Sequence, residues 1–106
     1  MTILTNMSEI ERQLDILAQS RIVGKPESIA PLDQYYELLI TYFCHINDIQ
    51  HIGDKAYELL PIVPFNFEER LSYIQERKHH YMGYQQMKTL KSELVKMNAA
   101  YRAKHN

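Results

Sequence analysis

The chain has 106 residues, a formal net charge of −1, 45% hydrophobic and 24% charged residues, which fits one globular domain with a single small core. Only three glycines and four prolines occur, so helices are favoured over a fold built from many tight turns. The lone cysteine excludes an intrachain disulfide, the opening MTILTNMSEIERQ lacks the regions of a signal peptide, and no stretch approaches the ~18 apolar residues of a membrane span; a cytoplasmic protein is expected.

Four segments carry helical periodicity. In the first, about Asn6 to Ser20, Met7, Ile10, Leu14 and Leu17 recur at steps of three, four and three, which keeps them on one face. Asn6 with Glu9 and Ser8 with Glu11 both have capping-box spacing. Gly24, Lys25 and Pro26 then interrupt the pattern. The second helix is expected from Pro31, which suits a first helical position, to Ile52, with Gly53 as its stop. Its row Leu32, Tyr35, Leu39, Tyr42, Ile46, Ile49 is joined by Tyr36, Ile40 and Phe43 about a right angle away. A helix apolar on two faces belongs at the centre of a bundle. Cys44 falls inside its apolar run and reads as a buried thiol.

DKAYELLPIVPFN, residues 54–66, is strongly apolar yet punctuated by Pro61 and Pro64. Asp54 suits the cap of one or two short helical turns, ended by Pro61. PIVP matches the spacing of a polyproline ligand, but a connection laid over the core is the favoured reading. Asn66 with Glu69 has cap-plus-three spacing for a third helix, whose face is Phe67, Leu71 and Ile74 and whose end falls near Arg77 or Lys78. The fourth helix carries Met87, Leu90, Leu94, Met97 and Tyr101. Extended backwards, that seam claims Gly83 and His80 as packing positions. A glycine there admits a neighbouring backbone, with His80 at the junction and His79 solvated. The stripes together predict an all-α fold: a small four-helix, mostly antiparallel bundle, one domain over residues 1–106, with an apolar irregular connection before the third helix.

Charge divides unevenly. Residues 1–66 carry four Lys/Arg and nine Asp/Glu, a balance of −5, and residues 67–106 carry eight and four, a balance of +4. The basic half offers Lys78, Lys88 and Lys91 beside Tyr81 and Tyr84 as candidate nucleic-acid contacts. Because these cations are scattered along the helix, mutual attraction of the two halves within the fold is the favoured reading. His45, Asp48 and His51 are metal-ligand types, but three-residue steps fan them over ~120° of helix surface. His51 is then expected in the last helical turn, complementing the dipole. The neighbours His79 and His80 diverge by ~100°. No metal or cofactor is assigned, and no catalytic signature is present.

FEERLSYIQERKHHYMGYQQMKTLKSEL resembles the YpoC-like proteins of Gram-positive bacteria, in which an ERL–x–[YF]–I helix precedes an HY–x–x–[YF]–x–QL helix start. The corresponding residues are Glu69, Arg70, Leu71, Tyr73 and Ile74, then His80, Tyr81, Tyr84, Gln86 and, in place of leucine, Met87. The resemblance implies a small cytosolic bacterial protein, carries over no catalytic residue, gives His80, Tyr81 and Gln86 added interest, and leans towards a DNA-associated role. The expected function is a non-enzymatic protein–protein interaction module. Its candidate partner-binding residues are Ile62, Val63, Phe65, His80, Tyr81, Tyr84 and Gln86. The alternative is a nucleic-acid-associated protein using the basic fourth helix, and third a metal-dependent enzyme.

Overall fold

The structure, a computed structural model, describes residues 2–105. Four helices follow in chain order: α1 (Ile3–Gln19), α2 (Pro26–Ile46), α3 (Phe67–Glu76) and α4 (Tyr81–His105), with one 3₁₀ turn at Tyr57–Leu59. They hold more than two thirds of the chain, and the described residues include no β-strand. The bundle expected from the stripes is present. Met7 and Leu14 of α1, Leu32, Tyr35, Leu39 and Phe43 of α2, Ile74 of α3 and Met87, Leu90 and Leu94 of α4 are buried in one core. Burial of such side chains is worth roughly 1.5–3 kcal/mol each.

The helix ends depart from the sequence expectation in an instructive way. α1 starts at Ile3, before Asn6, because the Thr2 hydroxyl accepts the Thr5 amide at 3.1 Å. It ends with Arg21 in the left-handed region (φ 58°). The Ile22 and Arg21 amides donate to the Leu17 and Ala18 carbonyls, which is a Schellman closure. α2 starts at Pro26, five residues before the expected Pro31, which instead lies inside the helix. Pro31 removes one backbone donor, but Ser28 and Leu32, buried on either side of it, hold the turn to the core. α2 also stops at Ile46 and not at Ile52. Asp48 takes the left-handed position (φ 56°), and the Ile49 and Asp48 amides close on the Cys44 and His45 carbonyls. Glycine is the usual residue at both closing positions; here Arg21 and Asp48 occupy them, and Gly24 and Gly53 turn the chain later, at φ 103° and 98°.

After α2 the chain is pinned by Asn47. Its buried carboxamide nitrogen donates to the Phe43 and Ile62 carbonyls at 3.0 and 2.9 Å, while its oxygen accepts the Ile62 amide at 2.9 Å. The 54–66 connection therefore lies over the core, as the favoured reading held. Phe67 opens α3 by stacking on Phe43, ring centroids 4.4 Å apart, with Tyr57 edge-on to both. Asn66 occupies the expected cap position, but its backbone is left-handed (φ 55°) and its side chain makes no cap hydrogen bond. α3 and α4 meet at a tight corner, where a Cβ on Gly83 would sit 1.7 Å from the Arg77 carbonyl oxygen. The close backbone approach expected at Gly83 is therefore made by the corner itself.

Candidate functional site

Lys78, Lys88 and Lys91 of the second half turn towards the acidic half. On α4, Lys88 and Lys91 are three residues apart and so share a face. On α1, Glu11 and Asp15 are four apart and share another. Lys88 reaches Asp15 at 2.9 Å, and Lys91 donates to Glu11. Two tyrosines complete this layer. Tyr84, fully buried, donates to the Asp15 carboxylate at 2.8 Å, and Tyr35 donates to Glu11 at 2.9 Å. Their rings meet edge to face at 5.7 Å. Burial, reinforced by these carboxylates, pushes both phenols far above their ordinary value. For Asp15, partial burial works to raise the pKa, but the hydrogen bonds from Lys88 and Tyr84 outweigh it and hold the carboxyl low. Lys78 pairs with Asp33 of α2 at 3.0 Å and lies over the Tyr36 ring. All three candidate nucleic-acid lysines thus contact carboxylates of the acidic half. Tyr84, a candidate partner contact, is core.

The two histidines exchange the roles expected of them. His79, expected to be solvated, meets the Asp33 carboxylate at 2.7 Å, on the same oxygen that Lys78 contacts. Those hydrogen bonds hold the Asp33 carboxyl below its usual range, His79 contributing more than Lys78. His80, expected to pack, has an exposed side chain. Only its backbone works at the corner, the amide donating to Arg77 and the carbonyl accepting from Tyr84. The seam reaches back to Gly83 but not to His80, because the chain leaves the helix there. Tyr81 is half exposed beside exposed Met82.

Ile62, Val63 and Phe65 do not form one exposed patch. Ile62 is buried under Asn47, Val63 is half-buried and Phe65 is 84% exposed. Pro64 is buried, so PIVP is not displayed as a polyproline ligand. Phe65 forms a ledge on one of two neighbouring shallow surface hollows, which share Asn66 and Glu69. One lies between α3 and α4 and is lined by Phe65, Arg70, Tyr73, Gln86 and Glu93. There Arg70 donates to Glu93 across the helices. The other is lined by Tyr57, Glu58, Val63, Pro64, Glu68 and Glu69. Of the seven candidate partner residues, Phe65 and Gln86 are thus brought to one groove, with Val63 on its far side.

The histidine–aspartate set of α2 is dispersed. Asp48 closes the helix, and His51 lies beyond it, its amide donating to Asp54 at 2.9 Å. His45, not His51, occupies the last turn. Among the described residues no group of three His, Cys, Asp or Glu side chains is placed to hold a metal ion. Burial, with Asp54 nearby, raises the Cys44 thiol above its ordinary pKa, the opposite of what activates a cysteine.

Sequence reading missed Asn47, Glu11 and Asp15. Nothing in the pattern marks Asn47, whose partner lies fifteen residues away. The acids did carry a signal: carboxylates four apart on one helix and lysines three apart on another present matching faces. Among the described residues no helix is long and apolar enough to cross a membrane. No curated protein and no solved structure matches the chain. The family model for YpoC-like protein matches residues 1–106, the whole length, and the chain belongs to that family.

Proposed function

We propose that this protein is a non-enzymatic interaction module of the cytoplasm, which offers the Phe65 ledge to a protein partner. One observation carries the reading. Phe65 is 84% exposed while Ile62, Pro64 and Phe67 around it are buried. The ring is therefore presented by a fixed backbone, and little ordering cost opposes its insertion into a partner. Aromatic anchors of this kind dominate interface energetics. Gln86 and the Arg70–Glu93 pair supply polar groups beside it. The nucleic-acid alternative draws less support, since Lys78, Lys88 and Lys91 contact Asp33, Asp15 and Glu11.

The test is a photo-crosslinking residue at position 69, beside the ledge, with position 16 on α1 as an exposed control. A discrete adduct from position 69 in cells, lost in Phe65→Ser with helix content unchanged, is expected. Identical adducts from both positions, or indifference to Phe65→Ser, would overturn the reading.

A further inference from the structure

Among the charges that make no ion pair within the described residues, two groups lie at one end of the bundle. The first surrounds the ledge. The hollow next to it is lined by Glu58, Glu68 and Glu69, and Lys55 is the one cation lining the further hollow that shares Glu58 and Glu68. None of these carboxylates has an ion-pair partner among the described residues. The second is the end of α4. No acidic side chain follows Glu93, whereas Lys96, Arg102 and Lys104 do, and all are exposed without a carboxylate partner among the described residues. Every residue from Ala99 to His105 is exposed, and none of them joins the buried core. Tyr101 continues the core seam into these last turns, 36% exposed and stacked on His105.

Both surfaces lie at the C-terminal end of α2. Asn47 ties the connection there through Ile62, and Phe67 stacks on Phe43. Tyr42 and His45 share a hollow with Asn98 and Arg102 of α4. Opposite surfaces at the same end of one molecule suit a closed pair: a twofold rotation sets each basic end on the other's acidic ledge. Surfaces at opposite ends would give open chains.

We infer that two copies of this chain associate end to end about a twofold axis, the Lys96–Lys104 end of α4 in one copy lying on the Phe65 ledge and the Glu58, Glu68 and Glu69 carboxylates in the other. This rests on the reading of the ledge as a protein contact and names its partner as a second copy. Contact between two basic ends is disfavoured by like charge, which fixes the reciprocal arrangement.

Sedimentation of the full chain tests it. At low ionic strength the mass rises with concentration from 12.6 kDa towards twice that value. Near about 0.5 M salt, where screening acts within several ångströms, it returns to the monomer. R102E/K104E and E58K/E69K each lower association by roughly a hundredfold or more, with helical melting curves retained. Mixing the two variants restores a dimer, since both reciprocal contacts then pair opposite charges. Should a reversal variant fail to melt cooperatively, Lys104→Gln and Glu58→Gln replace it, each giving a smaller loss. A monomer at every concentration, association indifferent to both reversals, or folded variants that do not recombine would overturn the inference. Binding of duplex DNA by a monomer, abolished by R102E/K104E, would also overturn it. A position-69 adduct with a different protein from a monomeric chain would overturn self-association while leaving the ledge reading standing. No position-69 adduct at all would remove both.

Discussion

Gly83 shows how one atom fixes a corner. Alanine in its place gains helix propensity of up to about 1 kcal/mol, but its Cβ meets a backbone carbonyl 1.7 Å away, with the carbonyl carbon at 2.4 Å. Backbone cannot rotate aside as a flexible side chain can, so the steric cost wins. Gly83→Ala is expected to lose about 2 kcal/mol or more in urea denaturation; an unchanged or raised midpoint would show that the corner relaxes. Asn47 acts at the same scale by a different means. Its amide supplies both partners of the Ile62 backbone at 2.9 Å. Asn47→Ala leaves a buried N–H and a buried C=O unmatched, at about 1–3 kcal/mol for each such group. The expected readout is a clear loss of stability together with faster amide exchange at Ile62. Exchange at Ile62 as slow as in the native protein would mean that water or another group takes over the bonds.

At the scale of elements, periodicity located all four helices and nearly all the core, because apolar spacing is a property of each helix alone. The ends were legible only where local chemistry decides them. α3 begins at Phe67, directly after the expected cap position Asn66, and ends at Glu76, beside the expected Arg77 or Lys78. α1 and α2 close on Arg21 and Asp48 in left-handed conformations, and no residue type there advertises the turn, so the reading passed on to Gly24 and Gly53. The two histidines at the α3–α4 corner were exchanged for a related reason: the seam gives the register of a helix, not the residue where it starts. His79 bridges to Asp33 of α2, whereas the His80 side chain faces solvent. His79→Ala is expected to cost about 0.5–1 kcal/mol, the scale of a half-exposed pair, and His80→Ala less than about 0.5. Equal losses in denaturant melts would remove the His79–Asp33 contact as the cause. Of the site itself, the sequence exposed Phe65 and Gln86 as candidates but could not separate Phe65 from its buried neighbour Ile62. That distinction depends on Asn47, which is distant in sequence.

Over the whole molecule, the −5 and +4 halves of the chain are used twice. One set of charges closes the bundle: α1 and α2 supply Glu11, Asp15 and Asp33, and the corner and α4 supply Lys91, Lys88 and the pair Lys78 and His79. A second set, Glu58, Glu68 and Glu69 against Lys96, Arg102 and Lys104, makes no ion pair among the described residues and lies at one end of the surface, where self-association is inferred. The internal set has a consequence in acid. Asp33, through His79 and then Lys78, is held below its ordinary pKa. Asp15 is held low as well, the hydrogen bonds from Lys88 and Tyr84 overcoming the opposing effect of burial. A carboxyl whose folded pKa lies below the unfolded value of about 3.9 contributes its full stability above that pH and loses it as pH falls through the folded value. The thermal midpoint is therefore expected to fall between about pH 5 and pH 2. Asp15→Asn/Asp33→Asn should start lower at neutral pH, because the ion pairs are gone, and should decline less steeply in acid, because two of the proton-binding groups are gone. Parallel declines for the variant and the native protein would place the acid sensitivity in other carboxylates and remove these two helix-to-helix contacts as its origin.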